Sequence, residues 1–327
     1  MDIPAIVLAP LAGGPSTPEL AAAVANAGGV GFLGAGYLTV EALAEHLRHT
    51  RELTRGLVGV NVFVLAETPV DDDALARYAD EVEPEARAHG VALGDPHFDD
   101  DALAGKLELV VAERVDVLST TFGCLPAEVI ERIQHSGTDV WATVTSVAEA
   151  ETATAAGADA LVVQGAEAGG HRGSWTDEGE ALPLAALLAT IGPVVDVPLV
   201  ATGGLADATD VAAVRRAGAT AAQAGTAFLL AVEAGTSAPH RAALAAGGET
   251  AFTRAFTGRT ARGIVNGFMR RHPSAPSAYP HVHHLTATLR AAARAAGDAD
   301  RINLWAGTSF ERAQGAPAAE IVAALGS

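Results

Sequence analysis

The chain has 327 residues, 49% of them hydrophobic and 5% aromatic, with 39 acidic against 21 basic side chains and a formal charge of -18. That length and apolar share suffice for one large core, and so acidic a surface repels nucleic acid and anionic lipid alike. The one cysteine, Cys124, excludes an intramolecular disulfide framework and any multi-thiolate metal site. The first residues lack a basic segment followed by a long apolar one. The most apolar run, 181–201, is broken by prolines, Gly192 and Asp196. The expectation is a cytoplasmic protein with neither signal peptide nor membrane span.

In chain order, short apolar runs alternate with Ala-rich amphipathic helices. Strands are expected at 6–9, 30–33, 58–64, 115–119, 140–144, 160–163, 199–201 and 221–224. Helices are expected at 18–27, 40–49, 72–89, 126–135, 147–156, 184–190 and 208–217, with one more around 101–113. Gly28, Gly90, Gly137, Gly157 and Gly218 each stand just past a helix, where a left-handed backbone ends it cheaply. Nearly continuous apolar strands separated by helices imply a parallel sheet covered on both faces. An open sheet gives the same alternation, but eight strands favour a closed (β/α)8 TIM barrel. After Val232 the repeat stops. Residues 1–232 form the expected barrel and 233–281 a covering segment, with a short helix at 238–246. Residues 282–327 hold helices closing on the barrel, at 282–296 and 318–325. The acidic runs 71–73 and 99–101 read as helix caps.

Barrel enzymes carry their chemistry at the C-terminal ends of the strands. The seventh strand runs into Gly203-Gly204 and the eighth into Gly225-Thr226, each before a helix. Glycine loops in those places suit a phosphate, bound by backbone N–H groups and a helix N-terminus. The first strand ends in Ala12-Gly13-Gly14, over which a flat ring could lie. Asn61 and Gln164 end the third and sixth strands with neutral carboxamides. After the sixth strand, Glu167-Ala168-Gly169-Gly170-His171 places a histidine among glycines. A histidine exchanges protons near neutral pH. Glu167 is expected to orient this loop or bond backbone, and Cys124 to be a small buried thiol. His281, His283 and His284 lack a carboxylate cluster beside them in the sequence, so no metal site is assigned.

The segments APLAGG, AAAVANAGGVGFLGAGY, GVNVFV, GADALVVQGAEAGGHRG, ATGGLAD and QAGTAFLL occur in this order. With TRAFTGRTARGIVNGFM and NLWAGT, they resemble nitronate monooxygenases, formerly 2-nitropropane dioxygenases, over nearly the whole chain. The EAGGH loop is similar in flavin-dependent enoyl-ACP reductases and NADH:quinone reductases. The resemblance implies a barrel with non-covalent FMN and a reaction in which an alkyl nitronate and O2 give a carbonyl compound and nitrite. It implies His171 as the active-site histidine and Gly203, Gly204, Gly225 and Thr226 as the phosphate cradle. Asn61, Gln164, Gly169 and Gly170 would lie near the flavin, and Ala12 and Gly13 beside its ring system. An NAD(P)H-dependent FMN reductase is the alternative, and a homo-oligomer stays open. Two residues depart from the family's habit: Leu11 stands where Met is frequent, and Ala227 where many members have Arg.

Overall fold

A computed structural model describes all 327 residues. Its barrel strands are β1 (Ile6–Leu8), β2 (Val30–Gly34), β3 (Leu57–Phe63), β4 (Val117–Thr121), β5 (Asp139–Val144) and β6 (Ala160–Gln164). After β7 (Gly170–His171) come β8 (Leu199–Thr202) and β9 (Ala221–Ala224). All but β7 pair in parallel in the order β1-β2-β3-β4-β5-β6-β8-β9, and β9 closes on β1 with Val7 opposite Gln223.

The crossovers are α1 (Pro18–Asn26), α2 (Val40–Leu53), α3 (Asp72–Ala88), α4 (Leu103–Glu113), α5 (Ala127–Gln134), α6 (Val147–Ala155), α7 (Leu184–Ile191) and α8 (Ala208–Arg216). The five glycines expected to stop helices all have φ between 71° and 100°, the region a Cβ disfavours. Asp71 caps α3 by accepting the Ala74 N–H at 2.9 Å. The run 99–101 does not cap a helix: α4 begins at Leu103, behind Ala102 in a left-handed conformation with no side-chain cap.

Side chains alternate across each strand, so every second residue faces the barrel axis. At the N-terminal end those residues are apolar: Val7, Val30, Phe32, Val117, Trp141, Ala160, Val162, Val200 and Ala221 pack as one cluster. Gly59 leaves room there, since a Cβ would lie 2.4 Å from the Phe32 ring. Two residues further along the same faces the chemistry changes. Trp141 gives way to Thr143, Val162 to Gln164, Val200 to Thr202 and Ala221 to Gln223, all on one cavity wall. β4 runs to Thr121, beyond the expected 115–119. Its last residue, Thr121, faces this polar end, while Thr120 turns the other way and donates to the Gly123 carbonyl at 2.9 Å, and an apolar criterion overlooks both.

The covering part contains α9 (Ala238–Ala246), β10 (Thr250–Thr253), β11 (Ala261–Ile264), α10 (Gly267–Arg271), α11 (His281–Ala295) and α12 (Ala318–Gly326). The sequence reading does not include the antiparallel sheet β10-β11-β7. Its strands are short and mix Thr, Gly, Arg and His with apolar residues, without a regular apolar alternation. It draws β7 from the loop after β6, so the cover is not built from 233–281 alone. Ala261 pairs with His171 and Arg262 with Gly170.

Candidate active site

Ala12, Gly13, Asn61, Gln164, Gly169, Gly170, His171, Gly203, Gly204, Gly225 and Thr226 all line one cavity of about 390 Å³ at the C-terminal mouth of the barrel. A pocket of this size, lined by backbone and a few polar groups, is typical of small-molecule sites.

Gly203 and Gly204 have φ of 122° and 74°, so their loop takes a path that L side chains resist. At Gly225 a Cβ would lie 3.2 Å from the side chains of Ala9 and Leu11. The segment 305–309 sits over these loops. Gly307 N donates to the Thr226 hydroxyl at 3.0 Å, Thr308 N to the Glu167 carbonyl at 3.0 Å, and the Ser309 hydroxyl to the Gly204 carbonyl at 2.7 Å. Gly307 and Ser309 line the cavity and were not singled out in the sequence. Gly169 owes its lack of side chain to this segment: a Cβ there would stand 2.5 Å from backbone atoms of Ala306 and Gly307.

Both carboxamides line the cavity, Asn61 from inside β3 rather than from its end, and both spend most of their bonds on the protein. Gln164 Nε2 donates to the His171 carbonyl at 3.2 Å, and its Oε1 accepts from Gly173 N at 2.7 Å. Its first task is to brace the histidine strand, leaving only its remaining lone pair and hydrogen toward the cavity. Asn61 Nδ2 is tied to Ser119 Oγ at 2.9 Å and Thr121 Oγ1 at 3.0 Å. The amide with a free donor is Gln223: its Nε2 is buried without a partner, on the cavity wall. A buried donor left unpaired is costly, so it marks a place where a ligand acceptor belongs. The sequence signal was a glutamine inside an otherwise all-alanine strand.

Glu167 turns away from chemistry: its carboxylate accepts the Leu184 N–H at 3.0 Å, at the start of α7. Cys124 donates to the Leu125 carbonyl at 3.4 Å and packs under the helices, and burial pushes its thiol up.

His171 is a strand residue held by β11, not a loop residue. Its ring stands among Phe122, Tyr279 and Trp305, with centroids 5.7, 5.6 and 5.5 Å away. Its Nε2 meets the Thr257 hydroxyl at 2.8 Å. Phe122 and Tyr37, both on the cavity wall, have φ of 75° and 69°. Left-handed aromatic residues are costly, and such strain clusters at functional sites. Arg259 lies over the Phe122 ring at 4.1 Å and bonds the Ser174 carbonyl. Arg290 donates to the Thr286 hydroxyl at 3.0 Å and the His283 carbonyl at 2.8 Å. Both guanidiniums are buried, and these bonds go to carbonyls and a hydroxyl rather than to carboxylates. Burial first, then the charges of Arg259 and Arg290, push the His171 imidazole down to about 3, so it is neutral at physiological pH.

His240, also on the cavity wall, is pushed down to about 4, chiefly by burial. Both histidines lie below the ordinary value of 6.5, so the unfolded chain takes up protons that the folded chain refuses as pH falls. Stability is therefore full above about pH 6.5 and declines below it, by up to about 1.4 kcal/mol per pH unit per histidine. The melting temperature should fall between pH 6 and 4.5. The decline should be shallower in His240→Asn, and equal slopes in the two proteins would remove His240 as a cause.

A parallel barrel with glycine loops, a cavity at its C-terminal mouth and a histidine beside the strand ends has the build of a barrel enzyme. The family profile described as Nitronate monooxygenase matches residues 1–327. The chain belongs to the nitronate monooxygenase family, a group of flavin-dependent oxidoreductases. It is 34% identical over 320 residues to a probable nitronate monooxygenase of Staphylococcus aureus strain Newman, covering 94% of this chain and 90% of that protein. The structure of nitroalkane oxidase from Streptomyces ansochromogenes superposes with a TM-score of 0.95 at 45% identity, covering 98% of this chain and 94% of that one. FabK from Thermotoga maritima superposes with a TM-score of 0.75 at 25% identity, covering 99% and 92%. No helix is long and apolar enough to cross a membrane.

Proposed function

We propose that this cavity holds FMN and that the enzyme oxidises alkyl nitronates with O2, two nitronates and one O2 giving two carbonyl compounds and two nitrite ions. The observation that carries the reading is the pair of buried guanidiniums, Arg259 and Arg290, beside a neutral histidine. A nitronate is an anion, and a chain of charge -18 does not attract one from afar. Neither arginine lines the cavity, but both act on His171 through a low-dielectric wall, and from behind that wall they supply the positive potential that the surface lacks.

The residues fit the cofactor. The Gly203-Gly204 and Gly225-Thr226 loops would hold its phosphate, Gln223 Nε2 would find its missing acceptor, and the backbone at Ala12 and Gly13 would lie along the ring. Bound flavin supplies the electron acceptor and the path of electrons to O2. The protein's part is to place the nitronate and steady its charge. With the Thr257 hydroxyl accepting from His171 Nε2–H, the Nδ1 lone pair is left free. With the other tautomer, Nδ1–H is a donor for a nitronate oxygen. An imidazole whose conjugate acid lies at about 3 is a poor base for a neutral nitroalkane. The site therefore favours the ready-made anion.

The test is anaerobic stopped-flow on the flavin-loaded protein, mixed separately with a nitronate, its parent nitroalkane and NADH. Bleaching of the flavin absorbance by the nitronate alone is expected. The second reading, an NAD(P)H-dependent FMN reductase, rests on the EAGGH loop, and fast bleaching by NADH would replace the first reading with it. Cofactor placement has its own check. Gly204→Asp should lose flavin, while Gly204→Ala, with the same positive-φ strain of about 1 kcal/mol but no charge, should keep most of it. Full flavin content in the Asp variant would put the phosphate elsewhere.

A further inference from the structure

The fold brings His284, at the start of α11, to His97 and Asp99 on the segment before α4, with one ligand atom from each residue within 4.8 Å of the others. Sequence spacing concealed this, because the partners stand far upstream of the three late histidines. We propose that His97, Asp99 and His284 form a site for a divalent transition-metal ion of the zinc class, clamping the segment before α4 onto the first turn of α11. It departs from the expectation of no metal site, and it does not rest on the flavin chemistry.

The ligand chemistry is specific. Two imidazoles and one carboxylate suit zinc, nickel or copper ions, whereas magnesium and calcium prefer all-oxygen sites. His97 Nδ1 lies 2.9 Å from the Asp95 carbonyl, which can only accept. The ring proton is therefore on Nδ1 and the lone pair on Nε2. A backbone carbonyl that fixes the tautomer in this way is the usual support of a metal-binding histidine. His284 Nε2 is buried and has no hydrogen-bond partner. Asp99 uses Oδ1 to accept from Asp101 N at 2.7 Å, leaving Oδ2 for an ion.

The two segments are already docked. Gly94 N donates to the Leu285 carbonyl at 2.9 Å, and the Thr288 hydroxyl to the Ala92 carbonyl at 2.6 Å. At Gly94 a Cβ would lie 2.2 Å from the His284 carbonyl oxygen, so the backbones meet only because that residue is glycine. What must move is side chain. The His97 and His284 rings are stacked, 4.0 Å apart at 16°. Tetrahedral zinc with arms of 2.0–2.1 Å needs its ligand atoms about 3.4 Å apart. The exposed His97 ring can turn to achieve this. Water, or His281 on the same helix face with an unpartnered Nδ1, would complete the coordination. His283, next in the chain to His284, stacks on the cavity residue Tyr37 at 4.1 Å and 5°. The clamp thus bears on one wall of the active site.

The test uses tag-free, flavin-loaded protein stripped with a chelator. Zn2+ should bind one per chain by calorimetry and raise the melting temperature by about 5 °C at a hundredfold excess over Kd. Mg2+ should do neither. His97→Ala and Asp99→Asn, both exposed and remote from the core, should each weaken Zn2+ binding at least tenfold while leaving the metal-free melting temperature unchanged. No saturable Zn2+ binding, or binding indifferent to both substitutions, overturns the site.

Discussion

His171→Asn should keep its flavin and its fold but turn over nitronate about 10²–10³-fold more slowly, the usual loss when one donor to a developing charge is removed. The backbone of residue 171 stays paired with Ala261, and Gln164 still braces its carbonyl, so the strand survives. Asparagine also offers an amide hydrogen, but from a shorter side chain and outside the cage of Phe122, Tyr279 and Trp305 that fixes the imidazole. The substrate comparison separates two roles. If His171 only holds a nitronate oxygen, kcat falls for the nitronate, and the parent nitroalkane remains a poor substrate for both proteins. If it acts as a base, the loss concentrates on the nitroalkane. Because the imidazole titrates near 3, wild-type kcat/KM for the nitronate should show no histidine step between pH 5 and 8. A step there would mean that ligand or flavin raises its proton affinity. Unimpaired nitronate turnover in the variant would take His171 out of the reaction.

The barrel was legible because its strands repeat one physical rule: an apolar run, a loop, then an amphipathic helix stopped by glycine. The glycine loops on the cavity wall were legible for a related reason, since a left-handed backbone or a close approach excludes side chains, and glycine says so in one letter. The surroundings of His171 were not. Tyr37, Phe122, Tyr279 and Trp305 come from four separate segments, and only the barrel's closure and the late cover bring them together. Arg259 and Arg290 are two arginines among many until burial distinguishes them. Gln223 lay within reach of a parity argument along β9, which turns it inward beyond Ala221. Its importance needed the further fact that its donor has no partner. The β10-β11-β7 sheet was hidden because its partners are held by pairing rather than by apolar pattern.

Lys106→Met should destabilise the protein by about 3–5 kcal/mol, the range for breaking a buried ion pair from one side. Lys106 is fully buried on α4, with Nζ 2.7 Å from Asp101 and 3.0 Å from the Ala35 carbonyl. Asp101 accepts the Tyr37 N–H at 3.0 Å. One ammonium therefore secures the junction of two loops, at which Tyr37, Asp101 and Ala102 all have positive φ. Burial already pushes the Asp101 carboxyl up. Without the lysine it should rise further, so the variant's stability should be least at high pH, where the carboxylate is charged, and recover as pH falls and the group becomes neutral. Lys106→Met with Asp101→Asn should regain much of the loss, because it removes the stranded charge and keeps an acceptor for Tyr37. The consequence reaches the site through Tyr37, which lines the cavity and stacks on His283. KM for the nitronate should rise in the single variant and fall back in the double one. Equal melting curves for wild type and Lys106→Met would show that the pair does not hold this wall.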